Sequence, residues 1–289
     1  MSAHAAPTRR LTLSDLAAKK AAGEPIVMVT AYDHPGAQIV EAAGVDIVLV
    51  GDSAAMTVLG YDSTVPVSVD EMIMLTKAVR RGLTKPLLVA DLPFGSYETS
   101  DAQALATAQR FVKETGCDLV KIERGGTSVD RARALVAAGI PVVGHVGLTP
   151  QTATSLGGYR AQGRTAEAAH ALIDDALALQ GAGCALLVVE AVPSEVTDAL
   201  MPLLQIPVIG IGAGSATDGQ VLVFHDLLGI YDGPAAKFVK RYASLRSAAI
   251  EGVSAYADEV RGRAYPAREH TYAMPAEEAA RLQELLAGR

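Results

Sequence analysis

Five side chains able to do acid–base or metal chemistry each stand at or near the end of a short apolar run. Residues 46–53 (Asp-Ile-Val-Leu-Val-Gly-Asp-Ser) run into Gly51, Asp52 and Ser53. Residues 85–91 end in Asp91, 117–123 in Glu123, 140–145 in His145 and 184–190 in Glu190. Runs this short and this rich in β-branched residues read as strands of a parallel sheet buried on both faces, and ligands bind at the carboxyl ends of such strands. If the strands are parallel, Asp52, Asp91, Glu123, His145 and Glu190 meet at one rim. Four carboxylates there repel one another unless a cation sits among them.

Each candidate carries a structural alternative. Asp52 and Asp91 suit Mg²⁺, which takes few carboxylates, several waters and a substrate oxygen, with a third acid reached through water. Alternatively each caps the helix that follows it. The absence of a Cys or His cluster argues against zinc. Alternation along a strand puts Lys121 and Glu123 on one face and Val120 and Ile122 on the other. If the first pair faces a barrel axis, the ammonium needs an anion. That anion is either a neighbouring acid or a substrate carboxylate or phosphate. Glu190 reads as a general base or as a rim carboxylate at a helix start, and His145 as a satisfied rim histidine, with an acid or a ligand as its alternative. The glycines at 210, 212 and 214 lack dinucleotide-loop spacing and read as sites of close backbone approach. Cys117 and Cys184 open their strands, at the end away from the acids. They read as packing thiols, not as nucleophiles or a disulfide, which fits a reducing, cytoplasmic setting.

The elements that must position these groups alternate regularly. Helices are expected over 12–22, 33–43, 69–81, 101–115, 128–138, 165–180 and 193–203, several stopped by a glycine. Ser14 and Asp15 are candidate caps for the first and Ser68 for the third. Strands lie between the helices, opening with 25–31, with 206–211 as the seventh and 220–225 as the eighth. Helices over 234–261 and 275–286 close the ring and form an appendage. Long connections over 53–69 and 147–163 interrupt the pattern, and loops of that length are more often functional than neutral. With 289 residues, half of them hydrophobic, the chain can fill one (β/α)8 TIM barrel of about 250 residues. An open doubly wound sheet is the alternative. We expect a disordered lead over 1–10, a barrel domain over 11–265 and a helical tail over 266–289. The net charge of −7 gives no footprint for nucleic acid or an anionic membrane. No apolar run approaches the ~18 residues of a membrane span.

The motifs also occur in a familiar order. Val-Gly-Asp-Ser (50–53), Gly-Tyr-Asp-Ser-Thr-Val-Pro (60–66), Ala-Asp-Leu-Pro-Phe-Gly-Ser-Tyr (90–97) and Val-Lys-Ile-Glu (120–123) come first. Gly-His-Val-Gly-Leu-Thr-Pro-Gln (144–151), Leu-Gly-Gly-Tyr-Arg-Ala-Gln-Gly (156–163) and Val-Glu-Ala-Val-Pro (189–193) follow. Gly-Ile-Gly-Ala-Gly (210–214) and Asp-Gly-Gln-Val-Leu-Val (218–223) complete the series. From about residue 10 to 265 the chain resembles the ketopantoate hydroxymethyltransferase family. Arg124, where that family often goes directly to glycine, is a small departure.

The resemblance implies a barrel of the phosphoenolpyruvate/pyruvate superfamily, usually assembled as a homodecamer. It implies Mg²⁺-dependent transfer of a one-carbon unit from 5,10-methylenetetrahydrofolate to 3-methyl-2-oxobutanoate, giving 2-dehydropantoate on the way to pantothenate. By matching motif, Asp52 and Asp91 hold Mg²⁺ with Glu123 in the metal shell. Asp52, Ser53, Asp91 and Lys121 bind the oxo acid, and Glu190 is the base that generates the enolate. Rival readings are a C–C lyase or phosphonomutase of the same superfamily, or a non-catalytic binder of 2-oxo acids. The lyases resemble enzymes with a catalytic cysteine in a rim loop, and neither cysteine here is placed there.

Overall fold

The computed structural model describes residues 9–233 and 236–288. The lead expected over 1–10 thus lies outside the described residues except for Arg9 and Arg10. The chain divides into two compact units, Met1–Tyr242 and Ala243–Arg289.

In the first unit, eight parallel strands close on themselves in sequence order. They are β1 (Ile26–Thr30), β2 (Ile47–Val50), β3 (Leu87–Asp91), β4 (Leu119–Glu123), β5 (Val142–Gly147), β6 (Leu186–Glu190), β7 (Val208–Ile211) and β8 (Gly219–Leu222). The pairing of β1 with β8 makes the structure a barrel and excludes the open sheet. The intervening helices are α1 (Leu13–Ala22), α2 (His34–Ala42), α3 (Ala54–Thr57), α4 (Val69–Gly82), α5 (Asp101–Thr115), α6 (Thr127–Ala137), α7 (Ala166–Gly181), α8 (Ser194–Leu200) and α9 (Phe224–Leu227). Side-chain oxygens of Asp33, Ser68, Ser100 and Thr165 accept from the N–H three residues on and start α2, α4, α5 and α7. For α1 the cap is Thr12, in a capping box with Asp15, rather than Ser14.

Strand alternation separates two apolar layers. Leu87 and Val89, Leu119, Val143, and Leu186 and Val188 fill the barrel interior. Leu88, Val120, Ile122, Val142 and Val189 pack outward under the helices. The inward row of each strand therefore starts aliphatic and ends in Asp91, in Lys121 and Glu123, in His145, or in Glu190.

The opposite end of the barrel is stoppered by α1, whose Leu16 joins the interior cluster. Three aspartates in the turns there repeat one arrangement. Asp46, Asp118 and Asp218 each accept a backbone N–H from the start of another strand, those of Val27, Leu88 and Val208. Each also pairs with a basic residue of the N-terminal segment, Lys19, Arg10 and Lys20 respectively. The plug is thus fastened by ionic contacts that double as strand-end caps.

Two elements differ from expectation. The eighth strand stops at Leu222 instead of running to 225, because the N–H of Phe224 donates to Thr30 Oγ1 and leaves the ladder. The helix expected from 234 begins at Leu245. Ahead of it, Phe238 packs against the barrel interior and Tyr242 N–H bonds to Leu227 O, which draws 236–242 off a helical path.

The second unit holds α10 (Leu245–Arg261), a 3₁₀ turn at Arg268–His270 and α11 (Ala276–Ala287). The ring of Tyr265 lies 5.4 Å from that of Tyr256 and 5.1 Å from that of His270. No described helix is long and apolar enough to cross a membrane.

Candidate active site

The acids and the lysine do meet at one rim. Cross-strand register sets Asp91 beside Lys121, and Glu123 beside His145. The Lys121 ammonium lies 2.8 Å from Asp91 Oδ1 and 3.7 Å from Glu123 Oε1. The N–H of Asp52 donates to Asp91 Oδ2 at 3.0 Å. His145 stands between two acids, Nδ1 3.2 Å from Glu123 and Nε2 3.3 Å from Glu190. Both contacts are ion-pair distances off line for hydrogen bonds, and neither ring nitrogen has a hydrogen-bond partner. The side chains of Asp91, Lys121, Glu123 and His145 are all buried. A cavity of about 180 Å³ opens on them and is also lined by Ser53, Thr64, Tyr159 and Glu190.

None of the proposed helix-capping roles holds for these acids. Ser53 rather than Asp52 begins α3, Ser100 caps α5, and α8 starts after Pro193 with no side-chain cap. The internal ion pair considered for Lys121 is present, with Asp91 as its principal anion. Two glycines keep the cup open. A Cβ on Gly51 would come 2.9 Å from Ser53 Oγ and 3.5 Å from Asp91 Oδ2. One on Gly147 would come 2.2 Å from Glu190 O. Glu190 is held by its backbone: its carbonyl accepts from Leu148 N–H, and the next residue, Ala191 at φ +49°, donates to Ile211 O.

Gln151 and Tyr97, residues the motif reading gave no role, lock the cup from behind. Gln151 arrives on a 3₁₀ turn (Pro150–Thr152) in the long connection after β5. Its Nε2 donates to Asp52 Oδ2 at 3.0 Å and Leu92 O at 2.9 Å, and its backbone N–H donates to Glu123 Oε2 at 3.0 Å. Tyr97 OH donates to Gln151 Oε1 at 2.7 Å and accepts the Glu123 N–H at 3.1 Å. Only the placement of both residues in rim loops marked them beforehand. Ser53 Oγ is held separately, 2.8 Å from Tyr32 OH.

The electrostatics leave an excess of negative charge. Burial, then the charges of Asp91 and Glu123, push the Asp52 carboxyl well above its ordinary range. Burial opposes ionisation of Lys121, but Asp91, Glu123 and Asp52 outweigh it and the ammonium persists. Burial and Lys121 likewise oppose a charged His145, yet Glu123 and Glu190 raise it to about 9. Glu123 is itself held below its usual value against burial, by His145 and Lys121. Four carboxyl groups face two cations here, and burial together with this crowding gives Asp52 its high proton affinity. Cys117 and Cys184 are buried, their thiols pushed by burial to about 11 and about 12. This matches packing thiols.

Among solved structures the chain resembles phosphonopyruvate hydrolase (TM-score 0.60, 12% identity, 96% of each chain covered). It also resembles 2,3-dimethylmalate lyase of the PEP mutase/isocitrate lyase superfamily (TM-score 0.56, 13% identity, 95% and 98% covered). At such identities the likeness concerns the fold alone, the closed eight-stranded parallel barrel described above. The family model of ketopantoate hydroxymethyltransferase matches residues 10–268. The chain belongs to this family. It is 52% identical over 259 residues to the 3-methyl-2-oxobutanoate hydroxymethyltransferase of Geobacillus kaustophilus, covering 90% of this chain and 93% of that one. It is 52% identical over 263 residues to the enzyme of the same name from Moorella thermoacetica, covering 91% and 98%.

Within the ketopantoate hydroxymethyltransferase frame, the question for this cup is whether it suits a metal. Among the described residues no three His, Cys, Asp or Glu side chains are grouped to hold an ion by themselves. The donors on offer are carboxylate oxygens, with no thiolate. Glu123 Oε1 is buried without a hydrogen-bond partner, and the four carboxyl groups of the cup face only two cationic side chains. That set fits a hard divalent cation that keeps waters and takes further oxygens from its substrate.

Proposed function

We propose that the chain transfers a hydroxymethyl group from 5,10-methylenetetrahydrofolate to 3-methyl-2-oxobutanoate, giving 2-dehydropantoate for pantothenate synthesis, with Mg²⁺ as its metal. The observation that carries this reading is the buried cup itself, in which one ammonium and an excess of acids face a small cavity beside Glu190. Asp52 and Asp91 would hold the metal, with Glu123 behind them. Bound there, Mg²⁺ supplies Lewis acidity to the carboxylate and keto oxygens of a 2-oxo acid.

The protein's own groups do the rest. Lys121 neutralises the substrate carboxylate and, fixed by Asp91, orients it. The Ser53 hydroxyl, held by Tyr32, offers a further contact. Glu190 removes the C3 proton, and its electron pair passes into the adjacent carbonyl. C3 then bonds to the one-carbon unit as that carbon's two bonds to folate nitrogens break, and those nitrogens take up the C3 proton and one proton of water. Overall one water is consumed, its oxygen becomes the new hydroxyl, and tetrahydrofolate leaves. Gln151 and Tyr97 hold Asp52 and Glu123 still throughout.

The test is exchange of the C3 hydrogen of 3-methyl-2-oxobutanoate into D₂O with Mg²⁺ and no folate. The wild-type protein is expected to exchange. Glu190→Gln should lose exchange while still binding the oxo acid by calorimetry. Normal exchange by that variant would show that another group is the base. No exchange by the wild-type protein would leave only a binder of oxo acids.

A further inference from the structure

The acid cup accommodates the smaller substrate but leaves the place of the one-carbon donor open, and the inference below rests on the reaction just proposed. Beside the cup lies a second cavity of about 540 Å³, three times the volume of the first, at about 180 Å³. The two share Glu190, Tyr159 and Phe238, so they adjoin at the proposed base. Their charges are opposite in kind. Apart from Glu190, the charged side chains lining the outer cavity are Arg160 and Lys237, and both residues are exposed. Neither has an ion-pair partner among the described residues. Its aromatic wall is equally specific to this place. Tyr159 is 54% exposed, a large ring facing solvent at the mouth of a cavity. Phe238 packs directly on the backbone of Gly212, where a Cβ would come 2.3 Å from the ring.

A one-carbon-carrying pterin has two parts with different demands. The reduced ring system is flat and nearly neutral and must bring its carbon to C3 of the oxo acid, next to Glu190. The aminobenzoyl-glutamate tail is anionic and calls for cations, which the outer cavity offers in Arg160 and Lys237. We propose that the outer cavity is the donor subsite. The pterin lies against Tyr159 and Phe238 with its one-carbon unit toward Glu190, and Arg160 and Lys237 take the carboxylates of the glutamate tail. Aromatic faces suit the first part, and charge-assisted contacts suit the second. The same division explains how the inner cavity stays reserved for the small oxo acid. The long connection after β5 contributes to both substrates, through Gln151 at the cup and through Tyr159 and Arg160 at the groove.

The test uses the intact protein and the double variant Arg160→Glu/Lys237→Glu, because these two residues line the outer cavity only. Three quantities are read: KM for 5,10-methylenetetrahydrofolate, KM for the oxo acid, and folate-free exchange of the C3 hydrogen into D₂O. The donor KM should rise by about tenfold or more, and by more still with a polyglutamylated donor. The oxo-acid KM and the exchange rate should stay within about twofold. An unchanged donor KM, with exchange intact, would overturn the subsite while leaving the reaction standing. A parallel loss of exchange would also overturn it, by showing that the two cations act on the cup. Absence of exchange in the wild-type protein would sink the underlying reaction instead. If the charge reversal prevents folding, Arg160→Gln/Lys237→Gln carries the same comparison.

Discussion

At the scale of single residues, the cup is made by pairing rather than by any one strong contact. Gln151 touches Asp52, Glu123, Tyr97 and the Leu92 carbonyl together, its side chain fixing Asp52 and its backbone N–H fixing Glu123. Replacing it by leucine of similar size strands the Tyr97 hydroxyl and one Asp52 oxygen. The expected cost is about 1–3 kcal/mol per stranded group in stability. Mg²⁺ affinity should also weaken by roughly 10–100-fold, as when supporting partners of metal ligands are lost. Calorimetric Mg²⁺ titration of Gln151→Leu checks this, and wild-type affinity would remove Gln151 from the support of the site. His145 gives a pH signature. Glu123 and Glu190 raise its value to about 9 against burial and Lys121, so the folded metal-free protein binds this proton more tightly than the unfolded chain does. The stability so gained is whole below pH 6.5 and is lost as pH rises toward 9, at no more than ~1.4 kcal/mol per pH unit. In chelator, Tm should fall across that window, and His145→Gln should flatten the slope. An equally steep fall in the variant would assign the slope to other groups.

At the scale of elements, chemistry and stability sit at opposite ends of the same strands. The carboxyl ends present the cup. The amino ends are tied to α1 through Asp46, Asp118 and Asp218, each satisfying a backbone N–H and a basic side chain. Asp218→Ala should cost about 1–3 kcal/mol, because Val208 N–H loses its acceptor in a partly buried place. Lys20→Ala should cost about 1 kcal/mol or less, as an ion pair near the surface does. Denaturant unfolding measures both, and catalysis per folded molecule should not change in either. Equal costs would mean that the ion pair to α1, not the strand-end cap, is what Asp218 chiefly contributes. This end also shows what a single sequence reveals. The strands and their terminal acids were readable because glycine stops and apolar runs are local signals. The plug's pairings join residues as distant as Lys20 and Asp218, and Gln151 reaches Asp52 across the barrel. No local pattern encodes such contacts. The late start of α10 belongs to the same class. Ahead of it, the packing of Phe238 on the barrel interior and the bond from Tyr242 N–H to Leu227 O direct the chain elsewhere.

At the scale of the whole molecule, closure of the barrel is what turns scattered strand ends into an unbalanced charge cluster. An open sheet would spread Asp52 and Glu190 toward separate edges and leave each solvated. Closure instead buries Asp91, Lys121, Glu123 and His145 against an aliphatic interior, where repulsion between acids is poorly screened. The fold therefore carries an electrostatic cost that a divalent cation bound at the rim would relieve, and such binding would feed back on global stability. By mass action, a ligand bound only to the native state at a hundred times its Kd adds ~2.7 kcal/mol. Mg²⁺ should accordingly raise Tm of the chelator-treated protein in a concentration-dependent way, and turnover should stop when chelator is restored. Asp52→Asn removes one acid at the centre of the repulsion. The metal-free variant should then be at least as stable as the metal-free wild type, and the Mg²⁺-dependent rise in Tm should vanish. A variant that loses stability without metal, yet keeps the full Mg²⁺ response, would place the ion away from the rim of β2 and β3.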